Sequence, residues 1–328
     1  MSNTLISFTN LPIWLESIRK DLQPPVGNKL LWGLGHHKVM LVGGPNARRD
    51  YHIERGEELF FQLEGDMVLE VMEKGLQRNI PIRQGEIFRL PADIPHSPQR
   101  KENTVGLVLE RERIPGEIDA LRWYTPDGTG RILYEEIFFC TDLGQQLKPV
   151  IQRFNASEAC HTGEPTLGAP ESVQHEGVIV NSTLVLESPI NLYEWVQLHA
   201  KGKTNGSILY DSNDGFEYTV LVITETLETE WIESLEHGEI FIYLLNGIGE
   251  MDVFETNILK KKNEGKDGEG EGERSEINTR ALTSGDVVLI PAEGQYKIRF
   301  RNIIGENATC LVVKNKKGVV ASSTTKIQ

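Results

Sequence analysis

From residue 38 the apolar positions come in short runs. "KVMLVGG" (38–44), "ELFFQLEG" (58–65), "MVLEVME" (67–73), "EIFRLPA" (86–92) and "VGLVLERER" (105–113) are rich in Val, Ile, Leu and Phe, and Gly, Pro or Asp punctuates them. This pattern predicts an antiparallel β domain of sandwich or barrel type. Ahead of it, Asn10 can cap a short helix that tolerates Pro12 in its first turn. Trp14, Leu15, Ile18 and Leu22 form its apolar stripe, and Pro24-Pro25 ends it. Helical patterning returns in "PGEIDALRWYT" (115–125) and "LGQQLKPVIQRFNASEAC" (143–160). The stretch 157–177 has few large apolar residues and reads as a linker.

Beyond Gly177 the β pattern restarts and repeats the first. "HGEIFIYLLNGIGEMDV" (237–253) resembles "GEELFFQLEGDMVLEV" (56–71), with Gly247 under Gly65. "LTSGDVVLIPAEGQYKIRF" (282–300) resembles "IRQGEIFRLPADIPHSPQR" (82–100), with Gly285 under Gly85 and Pro291 under Pro91. Such a repeat sets the architecture. A first barrel with its N-terminal helix is expected over 1–160, a linker over 161–177 and a second barrel over 178–328. "KKKNEGKDGEGEGERSE" (260–276) splits the second copy; it lacks apolar residues and reads as a hairpin insertion that cannot order itself.

A length of 328 residues suits two domains. The net charge of -14 argues against nucleic acid or an anionic membrane as partner, since both need clustered Lys and Arg. Cys140, Cys160 and Cys310 are far apart and form no CxxC, so neither a disulfide framework nor a Cys-based zinc site is expected. A reducing compartment fits. No apolar run reaches the ~20 residues of a membrane span. The N-terminus lacks a secretory signal's basic segment and long apolar core. A cytoplasmic location is expected.

The candidate chemistry lies in the first copy. Its blocks read His52-x5-Glu58-x6-Gly65 and Gly85-x5-Pro91-x4-His96. In the second copy Glu58 falls on Ile240, His96 on Tyr296 and His52 near Ser234, and none of the three is a ligand. The second barrel is therefore expected to bind no catalytic metal. His36, His37, His161, His175, His199 and His237 are given no role, because a lone histidine in a β protein is usually packed or at the surface. Asn46, Arg48 and Arg49 precede His52, Arg100 follows His96, and strand alternation turns Glu110 to the same side as Val108. Buried arginines are costly unless paired or meeting a charged ligand, and planar guanidinium contacts suit a carboxylate or a phosphate. Arg49, adjacent to Arg48 and facing the other way, reads as a surface residue.

The two blocks resemble the metal-binding motifs of the cupins. That resemblance implies a mainly β fold of tandem double-stranded β-helix barrels, a bicupin with a few short helices, and His52, Glu58 and His96 gathered at one barrel mouth. Two imidazoles and a carboxylate on one face match the facial triad of non-haem Fe(II) oxygenases. Many cupins carry a further His where Asp50 stands, so a fourth protein ligand is not expected.

"PPVGNKLLW", "LVGGPNARRDYH", "EELFFQLEGDMVLEV", "IPIRQGEIFRLPADIPHSPQR", "GLVLERER" and "DALRWY" together resemble the 3-hydroxyanthranilate 3,4-dioxygenase family over roughly residues 24 to 125. The two-barrel length resembles its animal-type form. The resemblance implies Fe(2+) as cofactor on His52, Glu58 and His96. It implies Arg48 and Arg100 at the carboxylate and oxygen of the substrate, and Glu110 at the ring substituents. Asn46 shares the loop of Arg48. The small-molecule substrate would be 3-hydroxyanthranilate, with O2 as co-substrate. The product would be 2-amino-3-carboxymuconate semialdehyde, which cyclises to quinolinate in the kynurenine route of NAD biosynthesis. A second barrel in cis makes a monomer the expected state. The Gly-rich acidic insertion departs from the family. Two other readings stand beside this one: a metal-dependent cupin isomerase of a sugar phosphate, and a non-catalytic cupin binding module.

Overall fold

The computed structural model describes residues 6–22, 27–33, 35–46, 48–140, 143–165, 178–213, 215–234, 238–255, 277–292 and 296–315. The charged insertion at 260–276 and most of the expected linker lie outside them. The chain divides into two compact units. One comprises residues 18–192; the other combines 1–17 with 193–320, each in its described part.

The 18–192 unit is built from two antiparallel sheets of six strands. The first runs, in spatial order, Ile190–Asn191, Glu86–Leu90, Glu58–Glu64, Val105–Arg111, His37–Gly43 and Asn28–Trp32. The second runs Ile132–Phe138, Asp119–Tyr124, Tyr51–Ile53, His96–Arg100, Met67–Glu73 and Leu76–Ile82. Alternation supplies the core. Met67, Leu69 and Val71 are buried on one face of their strand, while Val68 and Glu70 are part-exposed on the other. They meet Ile80 and Ile82 from the same sheet and Met40, Phe60, Phe88 and Val108 from the other. Burying each such side chain is worth about 1.5–3 kcal/mol.

The 193–320 unit repeats this register. Glu58 pairs with Leu90 in the first unit, and Ile240 pairs with Ile290 in the second. Phe60 pairs with Val108, and Ile242 with Val312. The four landmark glycines, Gly65, Gly85, Gly247 and Gly285, all have positive φ, which only glycine adopts without strain. Where His52 pairs with His96, Ser234 Oγ accepts from the Tyr296 amide at 2.6 Å. The second interior is apolar: Ile240, Phe300 and Val312 belong to its core.

Three segments differ from the expectation. "DALRWY" is a strand, Asp119–Tyr124, with its first five residues buried. Ala120 packs with Ile53, Val178 and Val180 on one side, and Leu121 and Trp123 pack with Leu147, Val150 and Phe154 on the other, so both of its faces are covered and the alternation that marks a strand is absent. Residues 178–192 join the first unit. Val178 and Val180 pack on Ile53 and Ala120, and Ile190 pairs with Ile87. Ser7–Asn10, a strand that the sequence did not announce, pairs with Asp286–Ile290 of the second unit. The helix after it follows the reading, spanning Leu11–Ile18 with Asn10 Oδ1 accepting from the Ile13 amide at 3.3 Å. Leu143–Asn155 is helical as expected, and Ser157 caps a further short helix, Glu158–Thr162, where a linker was expected to begin. Among the described residues no helix is long and apolar enough to cross a membrane.

Candidate metal centre

His52 and His96 stand opposite each other on adjacent strands, with ring centroids 5.4 Å apart. Glu58 opens the strand Glu58–Glu64 in the other sheet. One candidate ligand atom from each of the three residues lies within 4.8 Å of the others, and all three side chains are buried. The sequence-derived triad is thus brought together, with two ligands from one sheet and the third from the other.

The donor set fits a cation. The His96 Nδ1–H donates to the Ile94 carbonyl at 2.9 Å, which leaves the Nε2 lone pair of the neutral ring facing Glu58 Oε1 at 2.8 Å. That carboxylate oxygen is buried and accepts no hydrogen bond. Two acceptor atoms therefore converge on one point, which a metal ion or a buried proton must fill. Burial disfavours charge on His96, but the Glu58 carboxylate outweighs it and raises the His96 pKa. Burial likewise opposes ionisation of Glu58, and His96, His52 and Arg48 overcome it and lower its pKa. For His52 burial prevails over Asp119, so its pKa is lowered and the ring stays neutral, the form that binds metals.

The same cavity holds the charged residues singled out in the sequence. His52, Glu58 and His96 line it with Asn46, Arg48, Arg100, Glu110, Phe60 and Val108, and Leu143 and Leu147 of the helix Leu143–Asn155 also form part of its wall. Its free volume is about 70 Å³, and a larger space of about 310 Å³ shares Asn28, Met40, Glu110 and Leu143 with it. Arg100 is buried and makes no ion pair among the described residues. Its Nη1 donates to Gln62 Oε1 at 3.2 Å, and its Nε has no partner. Burial pulls its pKa down to about 10 against the opposing charge of Glu58. Gly106 makes room for it, since a Cβ there would lie 2.7 Å from Arg100 Nη1.

Arg48 is held by Asp50; Nε donates to Oδ2 at 3.0 Å. Asn46 braces the loop, accepting from the Arg100 amide at 2.8 Å and donating to the Pro98 carbonyl at 2.7 Å. Glu110 is buried, and burial together with Glu58 and Asp119 raises its pKa well above the usual carboxylate range. Arg49 is exposed, as read. His161 and His199 are exposed. His36 is buried with neither ring nitrogen hydrogen-bonded, and burial, with Arg111, lowers its pKa to about 4.

Sequence reasoning passed over a second group behind His52. Asp119 Oδ2 lies 2.7 Å from His52 Nε2, and Arg113 binds Asp119, Glu54 and Glu110. Asp119 was hidden by the helical reading of its segment, and Arg113 by the charge-rich end of "VLERER".

Residues 1–155 match the family model described as 3-hydroxyanthranilic acid dioxygenase. The mouse protein named 3-hydroxyanthranilate 3,4-dioxygenase is 48% identical over 211 residues, covering 63% of this chain and 71% of its own. The relative of the same name from Nematostella vectensis is 37% identical over 304 residues, 92% of this chain and 99% of its own. The chain belongs to the 3-hydroxyanthranilate 3,4-dioxygenase family. Membership makes it an oxidoreductase of the dioxygenase class. A solved structure of oxalate decarboxylase from Bacillus subtilis covers 89% of this chain and 72% of its own at 17% identity, with a TM-score of 0.46. The 3-hydroxyanthranilate dioxygenase match runs through both units in the Nematostella relative, whereas the family model stops within the first.

Proposed function

We propose that the 18–192 unit binds Fe(II) through His52, Glu58 and His96 and converts 3-hydroxyanthranilate and O2 to 2-amino-3-carboxymuconate semialdehyde. The observation that carries the site assignment is the buried Arg100 guanidinium, which makes no ion pair among the described residues and shares one cavity with the three candidate ligands. An anionic substrate is what such a guanidinium lacks, and each charge-assisted hydrogen bond it forms is worth about 1.5–3 kcal/mol.

The iron, when bound, supplies the electron transfer that lets O2 react with an aromatic ring. The residues of the chain do the rest. Arg100 takes the substrate carboxylate, and Gly106 leaves the space its guanidinium needs. Arg48, fixed by Asp50, has its remaining N–H groups for the substrate or oxygen. Glu110 hydrogen-bonds to the ring hydroxyl or amino group. Phe60, Val108, Leu143 and Leu147 exclude water from the reacting ring. Both oxygen atoms enter the product, and the ring opens between the hydroxyl-bearing carbon and its unsubstituted neighbour. The product then closes, with loss of water, to quinolinate.

The second unit carries Ile240, Tyr296 and Ser234 at the three ligand positions, and we take it as a degenerate barrel that binds no catalytic metal. The catalytic and degenerate barrels suffice for a monomer. Reconstituting the metal-free chain anaerobically with Fe(II), Zn(II) or Mn(II) tests the cofactor. Activity with Fe(II) alone, at one ion per chain, supports this reading; equal activity with Zn(II) overturns it.

A further inference from the structure

The His52, Glu54 and Asp119 side chains also lie within metal-ligand distance of one another, and all three are buried. No metal is needed to explain them, because a guanidinium stands among them. Arg113 Nη2 donates to Asp119 Oδ2 at 2.8 Å and also to Glu54 Oε2. Its Nε donates to Asp119 Oδ1 at 3.2 Å, and its Nη1 donates to Glu110 Oε2 and to the Arg111 carbonyl. One buried arginine therefore holds three buried carboxylates from three separate chain segments.

Two of those carboxylates touch the site. Asp119 accepts from one ring nitrogen of His52, which places the proton of the neutral imidazole there and the lone pair on the opposite nitrogen. Glu110 lines the cavity in which the substrate would lie. The strand Asp119–Tyr124 is hydrogen-bonded to the His52 strand, with Leu121 opposite His52, so the position of Asp119 is set by sheet register. Arg113 lies just beyond the strand that carries Glu110, three residues after it, and is itself buried. The planar fork of the guanidinium can bind two carboxylates along different edges at once; the ammonium of a lysine cannot reproduce that geometry.

We propose that Arg113 is a positioning residue for both halves of the site: through Asp119 it orients the metal ligand His52, and directly it orients Glu110 toward the substrate. The inference rests on the assignment of His52 to the metal and Glu110 to the substrate. It goes beyond that assignment by making Arg113, which does not line the cavity of the three ligands, govern the affinity for both.

The test uses the full chain, with Arg113→Lys, Asp119→Asn and, as reference, His52→Ala. Fe(II) affinity is measured anaerobically by competition with a chelator. KM and kcat for 3-hydroxyanthranilate are measured at saturating Fe(II), and thermal unfolding reports the folded fraction. Asp119→Asn should weaken Fe(II) binding about tenfold or more, as expected for loss of the partner that orients a ligand, with KM little changed. Arg113→Lys should weaken Fe(II) binding and also raise KM several-fold. A purely structural role would instead lower the unfolding midpoint and the active fraction while leaving Fe(II) affinity and KM of the folded protein unchanged. If Arg113→Lys does not fold, the near-isosteric Asp119→Asn decides the metal half, and Arg113→Gln, which keeps one amide donor but loses the guanidinium fork, decides the substrate half by its KM. Wild-type Fe(II) affinity and KM in folded Arg113→Lys, with Fe(II) lost in His52→Ala, would overturn the inference alone. Wild-type Fe(II) affinity in His52→Ala would overturn the metal assignment and the inference together.

Discussion

His52 and His96 are direct partners across two antiparallel strands, so residues 44 positions apart in sequence close to a ring separation of 5.4 Å. The triad is thus a property of register. Slipping one strand by one residue would turn its histidine to the opposite face. Removing one ligand should empty the site, since the two that remain do not enclose an ion. Metal analysis of purified Glu58→Ala and His96→Ala should show metal near background, with activity lost in parallel. Wild-type metal content in either variant would contradict the assignment.

Arg100→Ala removes the cation proposed for the substrate carboxylate but no metal ligand. The expected outcome is retained metal and a KM raised roughly 10- to 100-fold, the loss of about 1.5–3 kcal/mol. Steady-state kinetics beside metal analysis checks both halves, and unchanged kinetics would remove Arg100 from the substrate site.

A milder substitution probes the same group from behind. In Gly106→Ala the new methyl would lie 2.7 Å from Arg100 Nη1 and 3.0 Å from Gln62 Oε1, so the guanidinium must move. Substrate affinity should fall while metal content stays at the wild-type level. Wild-type affinity would show that the exact place of the guanidinium does not matter.

In the metal-free protein His96 shares a buried proton with Glu58, which raises the His96 pKa above 6.5 despite burial. A raised histidine pKa contributes stability that is fully present below about pH 6.5 and is lost as pH rises through the raised value. Bound metal replaces that proton. Urea unfolding of the metal-free chain between pH 6 and 9, conditions chosen to span that range on the order of a few units, should therefore show declining stability from this pair. The metal-loaded chain should show no such decline. Equal slopes for the two forms would contradict the shared proton.

The thiols differ in a way that reagent labelling reads directly. Cys160 is exposed, whereas Cys140 and Cys310 are buried. Burial, reinforced by Asp119, pushes the Cys140 thiol up to about 12, and burial raises that of Cys310 further. A thiol reagent near neutral pH should modify Cys160 quickly and the other two only after denaturation, as peptide mass mapping would show.

The sequence carried the triad because ligand spacing and the turn glycines are local features. Ile240 and Tyr296 likewise marked the second copy as lacking the ligands, and Ile240 lies in an apolar core. What escaped was non-local. Asp119 sits on a central strand covered on both faces, so its neighbours show no period of two. The pairing of Ser7–Asn10 with Asp286–Ile290 joins opposite ends of the chain, and no local pattern records it. The ties of Arg113 to Glu54 and Asp119 depend on how three loops and strands converge, which spacing along the chain does not encode.

The central claim is tested most directly by O2 consumption. The chain is loaded anaerobically with Fe(II), given 3-hydroxyanthranilate, and the ring-opened product is followed by absorbance. The account predicts O2 uptake matched one-to-one by product, abolished in Glu58→Ala. No uptake with Fe(II) confirmed bound would contradict it, leaving a metal-binding barrel whose substrate is another anion.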